Sequence, residues 1–169
     1  MEIHVWPPQF LEWGTIRVRC ALGRGGLSPD KQEGDKTTPE GRFILRRVMY
    51  RADRLERPRT ALPVLRLEPG DGWCDDPEDP LYNAPVRLPF ASGHEVLWRD
   101  DGAYDVIVVL GYNDCPVIAG KGSAVFLHVA KPGYPPTGGC VALALDDLLK
   151  LLGDCAPETF LCVSPNPPP

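Results

Sequence analysis

The sequence predicts a mainly β domain with one short helix near its C-terminal end, and three observations carry that expectation. Twenty prolines and seventeen glycines in 169 residues interrupt the chain too often for long helices. Between them lie short runs rich in β-branched and aromatic residues. A single segment, LALDDLLKLLG, carries apolar residues at helical spacing.

Taken in order, strands are expected over Thr15–Ala21, Arg42–Met49, His94–Trp98, Tyr104–Leu110, Ala124–Val129 and Thr159–Val163. The helix is expected over Leu143–Gly153, with Asp146 and Asp147 complementing its N-terminal dipole and Gly153 as its stop. Two loops stand out. Ser28–Gly41 is dense in turn formers and feeds a strand, and Gly70–Pro89 is long, acidic and aromatic at once, which suits either a functional loop or an acidic surface loop pinned by Trp73. The length fits one core, so residues 1–163 read as one domain, followed by a Pro-rich tail, 164–169, that is extended or disordered.

Composition excludes several classes. A net charge of -5 argues against nucleic acid as a partner, and the arginines between Arg42 and Arg66 read as a solvated face. The longest purely apolar run, Val106–Leu110, is far too short to span a membrane. The start, MEIHVWPPQF, lacks the basic and apolar regions of an export signal, and Pro7 and Pro8 stop any helix there. The expected location is therefore cytoplasmic, or periplasmic if a leader has been removed. Six cysteines without that context read as mostly buried thiols, and with no CxxC and no ligand spacing among His4, His94 and His128, neither a metal nor a cofactor is expected. LGRGGL lacks the third glycine and the helix of a dinucleotide loop, and AGKGSAV has Gly122 and Cys115 where a phosphate loop needs Ser or Thr and Gly. Gly120 and Gly122 instead suit a tight turn.

One cysteine has a distinctive setting. Cys140 follows Gly138 and Gly139, twelve residues after His128. Alternation along AVFLHV sets His128 at the strand's end on the less greasy face. The loop AKPGYPPTGG, stiffened by prolines and turned by glycines, is able to return Cys140 to hydrogen-bonding reach of the imidazole. A thiol needs a base, or an imidazolium that lowers its pKa, to become a nucleophile at neutral pH. Attack on a carbonyl puts charge on oxygen, and the N–H groups of Gly138 and Gly139, unshielded by side chains, suit that charge; losing one such donor costs about 3 kcal/mol. The alternative is a small buried thiol and a satisfied core histidine. Cys20 and Cys162 lie within strands and read as core.

These residues resemble the L,D-transpeptidase (YkuD-like) catalytic domain. That family carries a His, a variable loop, then Ser/Thr-His-Gly-Cys and an apolar residue; His128, Thr137, Gly139, Cys140 and Val141 match. Its second signature, Gly-Asp-x-x-Thr-Pro-x-Gly-x-Phe, stands complete as GDKTTPEGRF, Gly34–Phe43, and DDPEDPLYN, Asp75–Asn83, resembles a further segment of some branches. The resemblance implies a β-sandwich or barrel with a short helix after the cysteine, and an acyl-enzyme formed on peptidoglycan stem peptides. It implies Cys140 as nucleophile, His128 as base and the Val129 carbonyl as the group that orients it. The motif's second His is Gly138 here, and its Arg or Asn is Ala142. Trp73, Asp75, Asp76, Tyr82, Asn83 and Thr137 are the expected substrate contacts. The partner is a peptidoglycan stem peptide or a soluble muropeptide. Three functions fit: an L,D-carboxypeptidase, an L,D-transpeptidase, and a binding module without catalysis. The absent export signal and wall-binding domain favour the first.

Overall fold

In the computed structural model, residues 1–168 are described. Five strands precede the long one: β1 (Glu2–Trp6), β2 (Phe10–Trp13), β3 (Ile16–Ala21), β4 (Leu27–Ser28) and β5 (Thr38–Pro39). Then come β6 (Gly41–Tyr50), β7 (Val64–Arg66), β8 (Asp71–Cys74), β9 (Pro85–Arg87), β10 (His94–Val96) and β11 (Val106–Leu110). β12 (Phe126–Val129), β13 (Val141–Leu143), α1 (Leu145–Asp154) and β14 (Phe160–Val163) complete the order.

The main sheet runs β11-β12-β13-β3-β2-β1-β14-β6-β7, and β6 also pairs with β11, so the sheet closes into a barrel. Ten residues let β6 serve three neighbours: Gly41–Ile44 pair with β14, Leu45–Tyr50 with β11, and Val48–Tyr50 also with β7. Period-two alternation fills the interior with Ile3, Val5, Leu11, Leu45, Val48, Val108, Leu127, Val141 and Leu161. Leu148, Leu151 and Leu152 on α1 are fully buried in the same cluster, each contributing about 1.5–3 kcal/mol of apolar burial. Trp13 Nε1 donates to Asp154 Oδ2 at 2.9 Å, tying the helix end to β2.

A second apolar cluster covers the outside of the barrel wall. Met49, Ile107, Val109 and Phe126 project outward against Trp73, Leu97 and Tyr104, which belong to a separate three-stranded sheet, β10-β8-β9, and the segment after it. That second layer explains why all five residues of β11 are buried and why VIVVL is apolar throughout instead of alternating.

Several sequence expectations shift. The helix begins two residues later than predicted, because Leu143 is taken into β13 opposite Val129 and Cys20. Gly153 does not stop it; Cys155, in extended conformation, closes the end through its N–H to the Leu152 carbonyl. The Gly70–Pro89 loop contains β8 and β9. The N-terminal stretch, read only for its prolines, is the hairpin β1–β2 with Trp6 opposite Phe10. Arg51 departs from the solvated face: it is buried, lies over Trp98 at 3.5 Å and forks onto Asp53. Ser164 donates its N–H to Val5 O, so the tail leaves the barrel pinned, and its last residue lies outside the described ones.

Candidate active site

β12 and β13 run parallel with His128 opposite Ala142. Opposed residues of neighbouring strands point the same way, and so does the residue two positions earlier, so His128, Ala142 and Cys140 face the outside of the barrel together. The site therefore lies in the covered outer layer and not in the barrel interior. A cavity of about 420 Å³ opens there, with Cys140, His128 and the loop Pro135–Gly139 in its lining.

Inside it, His128 is buried and its Nδ1 lies 2.9 Å from the Val129 carbonyl. A carbonyl only accepts, so Nδ1 carries the proton and Nε2 is left as the basic nitrogen. Burial lowers the pKa of His128 despite that hydrogen bond, which keeps the imidazole neutral. Tyr104 packs edge-on against the ring at 5.3 Å between centroids and donates its hydroxyl to Glu95 Oε2 at 2.6 Å.

The Cys140 thiol shares this cavity, but its hydrogen bonds go to backbone: Sγ donates to Ala124 O at 3.2 Å and accepts from Phe126 N–H at 3.4 Å. Burial pushes the thiol up to about 12, and Glu95 reinforces that direction. The sequence reading placed the thiol within hydrogen-bonding reach of the imidazole; the bonds it makes here are to Ala124 O and Phe126 N–H. Ala124 itself sits at φ +50°, unusual for a residue with a side chain, and is held there by its N–H to Asn83 Oδ1 at 3.1 Å.

The two glycines behave differently from each other. Gly139 has φ +136°, and a Cβ there would come 2.7 Å from the Thr37 carbonyl, so only glycine fits. Its N–H is spent on Thr137 Oγ1 at 3.1 Å. Gly138 is exposed, and a Cβ there would meet nothing within 4 Å. Among the described residues no protein acceptor takes the N–H of Gly138 or of Cys140, so these two amides are free for a developing oxyanion. The donor on Cys140 itself was absent from the sequence reading.

The expected substrate contacts separate into two groups. Asp75 lines the cavity, and burial together with repulsion from Glu33 raises its pKa. Thr137 also lines it, though its hydroxyl donates to Cys140 O at 2.6 Å and so staples the turn. Trp73, Tyr82, Asn83 and Asp76 lie outside the lining. Trp73 is buried edge-on against Phe126 with Nε1 donating to Asn83 Oδ1 at 2.9 Å. Tyr82 donates to Glu33 Oε2 at 2.5 Å and accepts from Gly122 N–H at 2.9 Å. Asn83 spends its amide nitrogen on the Tyr112 and Asn113 carbonyls at 3.1 and 2.8 Å. Asp76 accepts from the Glu78 amide. Buried and fully paired, Trp73 and Asn83 brace the cavity from behind.

The Gly34–Phe43 signature forms the opposite support. Burial disfavours the Asp35 carboxylate, but bonds from Lys31, the Gln32 and Thr37 amides and the Thr37 hydroxyl outweigh it and hold Asp35 at about 2. Thr38 Oγ1 accepts the Gly23 N–H, fastening this loop to the strand that leads from β3. Lys31, Glu33, Glu95 and Tyr104 are site residues that sequence reasoning did not single out. Only the signature next to Lys31 and Glu33 could have pointed to them, since Glu95 and Tyr104 reach the site through the second layer.

A family model for the YkuD L,D-transpeptidase catalytic domain matches residues 8–163. The chain belongs to that family. Searches among curated proteins and among solved structures gave no match. The domain is thus a member of the cysteine L,D-transpeptidase enzymes that act on peptidoglycan, and its closed barrel with one short helix is the architecture on which the site is built. Elsewhere, strand pairing sets Glu2, His4 and Cys162 within 4.8 Å of one another on the barrel's surface, a proximity invisible to sequence spacing; Glu2 is paired there with Arg42 at 2.9 Å.

Proposed function

We propose that this domain is an L,D-carboxypeptidase that trims stem tetrapeptides of soluble muropeptides to tripeptides, with Cys140 as nucleophile and His128 as base. The observation that carries the reading is the joint exposure of a thiol and a neutral, correctly protonated imidazole to one peptide-sized cavity. His128 Nε2 takes the thiol proton as sulfur bonds to the carbonyl carbon of the L-centred third residue. The oxyanion is met by the free amides of Gly138 and Cys140. Collapse breaks the C–N bond, and the protonated imidazole gives its proton to the departing D-alanine amine. Water then loses a proton to His128, attacks the thioester and releases the thiolate.

Hydrolysis over transfer is supported by the size of the cavity, which suits one peptide end. A second concavity, lined by Tyr50, residues 52–57 and Arg66, shares no residue with it. The charges lining the Cys140 cavity suit a zwitterionic peptide: Arg24 and Lys131 for a carboxylate, Asp75 and Glu33 for an ammonium. The proposal includes a reducing, cytoplasmic setting, supported by six cysteines that all stand as free thiols. Incubation with excess disaccharide tetrapeptide should yield disaccharide tripeptide and free D-alanine by mass spectrometry. Abundant dimer linked between two L-centred diamino acids would replace hydrolysis by cross-linking, and no product at all would leave a binding module.

A further inference from the structure

We propose that Lys31 is the fixed counter-charge of the active-site thiol, a positioning residue that lets Cys140 ionise inside a buried site. The need for one follows from the site itself. A thiol enclosed by protein resists ionisation, and a neutral imidazole is able to take the proton only if something stabilises the anion left behind.

Lys31 is only 5 % exposed, which is rare for lysine and demands a reason. Its stem lies along Gly122, where a Cβ would come 2.9 Å from Cε, and its ammonium sits 3.3 Å from the Cβ position of Gly139. It is thereby pressed against the residue that precedes the thiol, and it lines the same cavity. An ammonium has three donors, and Asp35 Oδ1 takes one at 2.8 Å, which leaves donors to spare for the site. The lysine, the two glycines it rests on and the carboxylate that aims it form one unit, and a side chain at either glycine would displace it.

The other charges around the thiol do not fill this role. Glu33, Asp75 and Glu95 are acidic and oppose ionisation. Arg99 favours it less than Lys31 does and is held over the Tyr104 ring, at 4.9 Å, by a two-point fork onto Asp101. Arg24 and Lys131 are exposed to solvent, and Tyr104 and His128 are neutral. The thiol's pKa responds to Lys31 in the favourable direction.

The inference rests on Cys140 being the nucleophile, but its test needs no peptide, so failure of the trimming reaction and failure of this assignment are separately visible. The rate of iodoacetamide alkylation at Cys140, followed by peptide-resolved mass spectrometry, is measured against pH. Lys31→Met keeps the stem and removes the charge; its midpoint should rise by about one unit, a tenfold loss of thiolate at any pH below it. Lys31→Arg should restore the wild-type profile. A folded Lys31→Met protein with the wild-type midpoint overturns the proposal. Should that variant not fold, Lys31→Gln, which keeps a polar end without the charge, takes its place, and a wild-type midpoint there overturns the proposal instead.

Discussion

Replacing Asn83 by alanine separates a bracing role from a substrate contact. The side chain accepts from Trp73 Nε1 and from the Ala124 amide, and both donors are buried. Alanine leaves each without a partner at a cost of roughly 1–3 kcal/mol apiece. Asn83 also sits at φ +55°, a conformation that costs alanine about 1 kcal/mol more. The total is near 5 kcal/mol, a large part of the roughly 5–15 kcal/mol that holds a domain folded. At about 2–4 °C per kcal/mol for a chain of this size, the melting temperature should fall by about 10–20 °C. Thermal and urea unfolding followed by circular dichroism measure it, with Asn83→Asp, which keeps the acceptor, expected to lose less. Below the melting range kcat should also drop, because Ala124 loses the bond that aims its carbonyl at the Cys140 thiol. A stability loss under about 1 kcal/mol combined with a raised KM would refute the reasoning and return Asn83 to the substrate.

Other expectations follow from the same geometry. Cys140→Ala should abolish turnover and leave the melting temperature close to wild type, whereas Cys20→Ser, at a fully buried barrel position, should lower stability by a few kcal/mol and spare the chemistry; retained turnover in Cys140→Ala removes it as nucleophile. Because burial lowers the His128 pKa from its ordinary 6.5, the acid limb of kcat/KM should lie below pH 6.5, and a limb at or above that value removes His128 as the base. Asp35, held at about 2 against an ordinary 3.8, contributes stability that is present above pH 3.8 and lost as pH falls toward 2. Its loss should amount to no more than about 2 kcal/mol, since the group is partly solvated, and acid unfolding of Asp35→Asn should lack that limb. Asp75→Asn should raise KM more than it lowers kcat; wild-type kinetics would take Asp75 out of substrate binding.

The sequence was legible where local chemistry decides the outcome. β-branched runs between prolines marked β6, β11, β12 and β14, and the helical period marked α1. That His128 and the GGC turn line one cavity was readable because one strand and one stiff loop supply both. What escaped needed a second layer. Trp73 and Asn83 look like recognition residues in a loop, yet β8–β10 fold onto the barrel wall and bury them. Gly139 was read as a bare amide, but the contact with Thr37 that requires glycine crosses about a hundred residues of chain. Lys31 was not singled out, since nothing local shows that Gly122 and Gly139 make room for it.

Gly138 points a hydrogen where the related motif has an imidazole, and the space before it is vacant. Since the barrel holds itself together from its inside and the reacting groups hang on its outside, that vacancy can be refitted without loosening the fold. A bulky residue grafted at position 138 would narrow the mouth of the pocket while leaving Ile3, Leu127 and Leu161 undisturbed on the far side of the wall. Enzyme selectivity and architectural strength are therefore separately adjustable in this protein, which makes it a scaffold for remodelling peptide preference one rim residue at a time.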